Sequence, residues 1–201
     1  MNTEQEFLTG KKRALQKLNQ AINENKVDET ILPILNLINE STDYYTSSSC
    51  AGRVVLLQLP QIGDKQNAQF LGKWHRTIDS DEITASSKKA DVGQLWLLAQ
   101  SPIIHLTAKT TEAANSLLKI AISCGFKNSG LRSLNKKIVV EICSTERLDA
   151  PIGKDGVLFC NDEYIELLVS IANDVLKKSH EKLIRFEENL KKCLSTHKTT
   201  K

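Results

Sequence analysis

The stretch Gln94-Leu-Trp-Leu-Leu-Ala-Gln-Ser-Pro-Ile-Ile-His-Leu-Thr-Ala-Lys-Thr-Thr-Glu-Ala-Ala-Asn-Ser-Leu-Leu-Lys-Ile-Ala-Ile-Ser-Cys-Gly125 decides the fold class. Gln94 to Ala99 and Ile103 to Ala108 read as two strands meeting at Pro102. Thr111 then opens a helix. Ala114, Leu117, Leu118, Ala121 and Ile122 fall on one face, and Gly125 suits the position just past the helix C-terminus. Strands and helices share one segment, which points to an α+β protein.

Working outward, Arg53-Val-Val-Leu-Leu-Gln-Leu59 and Lys137-Ile-Val-Val-Glu-Ile-Cys143 are further strands, and another is expected from Phe70 to Ile78. Asp79 and Glu82 have capping-box spacing, which predicts a short helix to about Lys89. Phe7, Ala14, Leu15, Leu18, Ala21 and Ile22 share one helical face near the N-terminus. Ile31, Ile34, Leu35 and Ile38 predict a second helix with Pro33 in its first turn. Ser41 to Gly52 is polar and reads as a loop. From Asp162 onward, Ile165, Leu168, Ala172, Val175, Leu183, Phe186 and Leu190 recur at helical spacing, so one long helix should lay this stripe on the sheet. The expected architecture is a single α+β domain over residues 1–194. It has a mixed sheet of about five or more strands, flanking helices and a long C-terminal helix. The tail 195–201 should fray.

Composition bounds function only loosely. Hydrophobic residues make up 40% of the 201-residue chain and charged residues 25%, ordinary for a globular protein. No apolar run approaches the roughly 20 residues of a membrane span, and the polar N-terminus lacks the apolar core of a signal peptide. A cytoplasmic protein with no membrane partner is expected. The five cysteines, Cys50, Cys124, Cys143, Cys160 and Cys193, have no metal-ligand spacing and read as thiols, with no metal expected. Net charge is only +3, but Lys119 to Val140 holds Lys119, Lys127, Arg132, Lys136 and Lys137 and no acid. Such a run suits a phosphate backbone, or is a solvated face.

Three groups of residues can carry chemistry. Asp43-Tyr-Tyr-Thr-Ser-Ser-Ser-Cys-Ala-Gly-Arg53 gathers hydroxyls, a glycine that admits close approach and an arginine fork for a carboxylate or phosphate. It also reads as a plain serine-rich turn. Lys73-Trp-His-Arg76 interleaves cations with an indole, as base stacking and phosphate contact require, or as a core tryptophan among solvated charges. His105 lies in an apolar run, where it is either a satisfied core residue or a proton-transfer group. Phe126 to Gly130 is an anion-binding turn or only a turn. Rossmann, phosphate-loop, nucleophile-elbow and zinc-protease signatures are absent.

Tyr45-Thr-Ser-Ser-Ser-Cys-Ala-Gly-Arg53 closely resembles the signature loop of the wybutosine-synthesising tRNA N4-methyltransferase family. Lys73-Trp-His75, Pro102-Ile-Ile-His-Leu106, Ala121 to Leu131, Ser144 to Pro151, Asp162 to Ile165 and Ala172-Asn173 resemble later motifs of the same family in order. The resemblance covers roughly Phe7 to Phe186, and the short chain is similar to archaeal members. It implies methyl transfer from S-adenosylmethionine to N4 of a demethylwyosine-type tricyclic guanosine, 7-(3-amino-3-carboxypropyl)-4-demethylwyosine, in the anticodon arm of tRNA(Phe). With no Rossmann fingerprint in the sequence, a fold other than the Rossmann methyltransferase is expected.

Under that resemblance Ser48, Ser49, Cys50, Gly52, Arg53, Ser129 and Gly130 are candidates for holding the cofactor or the reacting base. Lys73, Trp74, Arg76, Lys127, Arg132, Lys136 and Lys137 are candidates for tRNA contact. His75 or His105, and more weakly Asp43, are candidates for taking the proton released from N4. Methyl transfer is an in-line displacement that needs alignment rather than a protein nucleophile. Two other readings stand beside it. One is a tRNA-binding module without catalysis. The other is a transferase or hydrolase using Cys50 with His75 or His105.

Overall fold

The computed structural model describes residues 3–196. Among them the elements run α1 (Thr3–Asn23), a 3-10 turn (Glu29–Ile31), α2 (Leu32–Glu40), β1 (Tyr44–Cys50), β2 (Arg53–Leu59), β3 (Gln69–Trp74), α3 (Ser80–Ser87), β4 (Gln94–Gln100), β5 (Ile103–Ala108), α4 (Thr111–Ser123), β6 (Gly130–Ser133), β7 (Ile138–Cys143), β8 (Arg147–Lys154), β9 (Val157–Leu158) and α5 (Asp162–Thr196). No described helix is long and apolar enough to cross a membrane. The chain forms two compact units, Met1–Ala51 with Pro102–Thr145 and His180–Lys201, and Gly52–Ser101 with Glu146–Ser179.

The α+β class and the long C-terminal helix are as expected, and the fold is not a Rossmann fold: every strand pairing is antiparallel, whereas a Rossmann sheet is built from parallel βαβ units. The strands form two sheets, where one mixed sheet was expected, in the orders β1-β5-β7-β6 and β3-β2-β4-β8-β9. The chain changes sheet three times, between β1 and β2, β4 and β5, and β7 and β8, and the first two changes fall at residues that interrupt a ladder. Gly52, between β1 and β2, takes φ +99°, and Pro102, between β4 and β5, has no N–H. Of the expected tail, residues 197–201 lie outside the described residues.

In the first unit Tyr44, Ile104, Leu106, Val140 and Ile142 point from the sheet into a core completed by α2, α4 and the second half of α5 through Leu35, Leu117 and Phe186. Phe126 meets Phe186 edge-on at 5.7 Å between ring centroids. Helix α4 starts where expected, with Thr110 accepting the Ala113 N–H. β1 was expected to be a loop. Its register with β5 shows why composition misleads: Tyr44, Thr46 and Ser49 oppose Ala108, Leu106 and Ile104 on the core side, while Tyr45, Ser48 and Cys50 face outward. A bulge at Ser47 separates the two halves. β1 is an edge strand, and side chains take up part of its open edge. Asn39 accepts the Thr46 N–H at 2.9 Å and donates to Thr46 Oγ1 at 2.8 Å. Asp28 accepts the Ala51 N–H at 3.0 Å. On the outward face Phe7 of α1 packs against Tyr45, with ring centroids 5.1 Å apart and planes tilted by 57°.

In the second unit Val54, Leu56, Leu95, Leu97 and Ile152 pack against Ile83 of α3 and against Ile165, Leu168, Ala172 and Val175 of α5. The apolar stripe of α5 is therefore shared between two cores, since Leu183, Phe186 and Leu190 belong to the first. Asn173 clamps Ile78, accepting its N–H at 2.9 Å and donating to its carbonyl at 2.8 Å. The Asp79–Glu82 capping box forms as the spacing predicts. β3 stops at Trp74, short of the expected Ile78. Its indole lies over Gly72, where an added Cβ would come within 2.0 Å of the ring, so only glycine fits beneath it.

Candidate active site

Strand alternation and register place one polar row across the first sheet. Ser48 opposes His105, and His105 opposes Glu141, all on the outward face because their neighbours Ile104, Leu106, Val140 and Ile142 fill the core. Ser48 Oγ lies 3.0 Å from His105 Nδ1, and His105 Nε2 lies 2.7 Å from a Glu141 carboxylate oxygen. The other oxygen of Glu141 accepts from Arg132, which sits at an irregularity in β6. Glu141 is nearly buried, with its side chain 10% exposed, while that of His105 is 31% exposed. The Arg132 guanidinium, and after it His105, hold the Glu141 carboxyl below its ordinary value against the opposing effect of burial. Glu141 is therefore an anion at neutral pH. Ser47 donates to the His105 carbonyl at 3.2 Å, which ties the bulge to β5.

Both ring nitrogens of His105 are thus engaged, and Cys50 opposes Ile103 rather than His105. The Cys50-dependent reading loses His105 as its base. All five cysteines are thiols.

A second group lies in the other unit, on the face of its sheet turned away from the core. Arg53 opens β2 opposite Gln100 of β4 and donates from Nε to the Gln100 side-chain oxygen at 2.7 Å. Its guanidinium carbon stands 5.6 Å from the ring centroid of Phe70. The stem and Nε are held, so the terminal amino groups present a fixed fork. That donor set fits an amino-acid carboxylate such as the one S-adenosylmethionine carries.

Lys73 is exposed on β3. Trp74 is half-buried and packs on the second core, so it does not offer the expected stacking face. The exposed ring on this strand is Phe70, 57% exposed, which sequence reasoning missed. His75 and Arg76 follow the strand rather than continuing it. Arg76 grips Glu82 with both amino groups, at 2.9 and 2.7 Å. Lys127, Lys136 and Lys137 are exposed, whereas Arg132 of the same basic run is paired with Glu141. Ser129 serves the turn: it donates to the Phe126 carbonyl at 2.7 Å and accepts the Cys143 N–H at 3.1 Å. Gly130 opposes Glu141. Asp43 is exposed and lines a separate cavity of about 700 Å³ with Tyr44, Leu117 and Leu190, which neither Ser48 nor His105 lines. Tyr44 there donates to the Ala113 carbonyl, and burial, then Asp43, pushes its hydroxyl up to about 12.

Glu141, Gln100, Phe70 and Asp28 are the residues that sequence reading missed. Only a prediction of strand register could have found the first three, since each matters through the residue it touches.

A profile of the family described as Methyltransferase TYW3 matches residues 9–192. A tRNA(Phe) 7-((3-amino-3-carboxypropyl)-4-demethylwyosine(37)-N(4))-methyltransferase of Thermococcus sibiricus is 46% identical over 190 residues, covering 94% of this chain and 96% of that protein. A protein of the same name from Methanocaldococcus jannaschii is 41% identical, covering 92% and 96%. The solved structure of the PH1069 protein from Pyrococcus horikoshii superimposes with a TM-score of 0.90 at 46% identity, covering 94% of this chain and 98% of that one. With its profile, its relatives and its fold in agreement, the chain belongs to the Methyltransferase TYW3 family.

Proposed function

We infer that this methyltransferase uses S-adenosylmethionine and acts in the cytoplasm. Its acceptor is N4 of 7-(3-amino-3-carboxypropyl)-4-demethylwyosine at position 37 of tRNA(Phe), the substrate named for its relatives. The observation that carries this reading is the contact between Ser48, in the signature stretch, and His105. It gives an exposed hydroxyl backed by a base on the outward face of a sheet.

S-adenosylmethionine, when bound, supplies an electrophilic methyl group. The protein's own work is to hold the partners and remove a proton. Arg53 offers the fork that suits the cofactor's carboxylate. Gly52 precedes it in the chain, and its bare backbone admits close approach. Ser48 and His105 take the proton from the acceptor nitrogen. Phe70, beside Arg53, offers a ring for stacking, and Lys73, Lys127, Lys136 and Lys137 suit phosphates. No covalent enzyme intermediate is required, so Cys50 lines the site without attacking.

Calorimetry with S-adenosylmethionine tests the class. Stoichiometric binding is expected, and Arg53→Lys should weaken it about ten- to a hundred-fold, the loss of a charge-assisted hydrogen bond. A folded protein that binds tRNA but not the cofactor would favour the tRNA-binding module instead.

A further inference from the structure

Ser48, His105, Glu141 and Arg132 come from the four strands of one sheet in their spatial order, β1, β5, β7 and β6. Glu141 joins the two halves of this row, one oxygen on His105 and the other on Arg132. A carboxylate so little exposed is costly unless both oxygens are bonded, and here both are. Replacing it with an apolar residue of the same size would serve packing equally well, so packing does not explain it.

We propose that Glu141 is the positioning residue that orients His105 and sets an anion against the imidazolium that forms in the reaction, and that Arg132, by sharing the carboxylate, limits that effect. The proposal rests on the reading of Ser48 and His105 as the proton-accepting end of the methyl-transfer site.

For a neutral His105 ring the hydrogen bonds allow one assignment of protons. Glu141 is an anion and only accepts, so His105 Nε2 carries a proton. In the neutral ring Nδ1 is then bare and accepts from Ser48 O–H. The Ser48 lone pairs are left for the outside. As the acceptor nitrogen gains its methyl carbon, its N–H bond breaks. That proton passes to Ser48 Oγ, and the Ser48 proton passes to Nδ1. The methyl carbon would come from bound S-adenosylmethionine, whose sulfur would keep the bonding pair, so charge balances. The imidazolium that forms lies against the Glu141 anion, which stabilises it. Arg132, a cation on the same carboxylate, weakens that stabilisation. Sharing this face with His105 are Glu141 and Cys143 of β7, Arg132 of β6 and Cys50 of β1, with the Asp28 carboxylate within 4.8 Å of the Cys50 Sγ, while α1 presents Phe7 to Tyr45. Glu141 and Arg132 are the charged pair bonded into the His105 row.

The two substitutions therefore move His105 in opposite directions. In Glu141→Gln the amide still accepts from Nε2–H but carries no charge, so the ring signal should titrate at lower pH than in the wild type. In Arg132→Met the undivided carboxylate should move it to higher pH. Arg132 is largely exposed, its side chain 56% so, and its removal should leave the fold intact. The experiment follows the His105 ring by NMR across pH in the wild type and both variants, with His105→Gln assigning the signal. Single-turnover methyl transfer is measured over the same range. The acid limb of the rate profile should shift with the ring, to lower pH in Glu141→Gln and to higher pH in Arg132→Met. The plateau should fall at least about tenfold in Glu141→Gln as the base weakens. An unmoved His105 titration in Arg132→Met, or a slower Glu141→Gln with no shift of its acid limb, would mean a purely structural role and overturn the proposal. Failure of the wild type to transfer a methyl group would count against the function inferred above, and the NMR titration would still decide the role of Glu141.

Discussion

Arg53 donates to Gln100 through Nε and lies against the Phe70 ring, so its two terminal amino groups are aimed before any ligand arrives. Lysine cannot reproduce that fork. Arg53→Lys should lose methyl transfer about ten- to a hundred-fold, whereas Cys50→Ser should keep most of it. Single-turnover rates with circular dichroism as a folding control check both, and the reverse order would move the chemistry to the thiol. Tyr45 gives a stability prediction. Its hydroxyl is buried, makes no hydrogen bond and lies against Gly10 of α1, where an added Cβ would come within 2.5 Å of the oxygen. A buried unpaired hydroxyl costs about 1–3 kcal/mol. Tyr45→Phe should therefore stabilise by about 1 kcal/mol, a rise in melting temperature of about 2–4 °C for a chain this size. A comparable fall would show that the hydroxyl has a partner. At this scale the sequence was informative where a residue's type declares its chemistry, as with Ser48, Arg53 and His105. It was silent on Glu141 and Gln100, which matter only through register.

The elements with a strong apolar period, α1, α2, α4, α5, β2, β4, β5 and β7, were legible. β1 was not, because four of its residues are Thr, Ser, Ser and Ser, and hydroxyl side chains mark a turn and an edge strand equally well. β6, β8 and β9 were missed for a related reason: they are short, or interrupted by Asp149 and Pro151, and only their partners define them. Asn173 shows how one polar residue fixes an element. Its amide meets both backbone groups of Ile78, which ties α5 to the chain entering α3. Asn173→Ala should leave the buried ends of Ile78 unpaired and cost about 1–3 kcal/mol. Urea unfolding would measure it, and a change under about 0.5 kcal/mol, ordinary for a surface site, would mean that water replaces the clamp.

Across the whole molecule, the chain's weak net charge hides a local asymmetry. Lys127, Lys136 and Lys137 are exposed in a stretch with no acid until Glu141, and Arg132 neutralises that one. Lys136→Ala with Lys137→Ala should weaken tRNA binding and lower the slope of log K against log salt by roughly one for each phosphate no longer neutralised. Single-turnover methylation at saturating tRNA should change little. An unchanged slope would make the run a solvated face. The central claim is narrower than tRNA binding: the enzyme modifies a tricyclic base. The direct measurement offers tRNA(Phe) carrying the demethylated tricyclic base, beside the same tRNA with plain guanosine at that position, to the wild-type protein with labelled S-adenosylmethionine. Mass spectrometry of the released nucleosides reads the result. The account predicts one added methyl on the tricyclic nucleoside and none on the guanosine; equal methylation of both, or none on either, would contradict it.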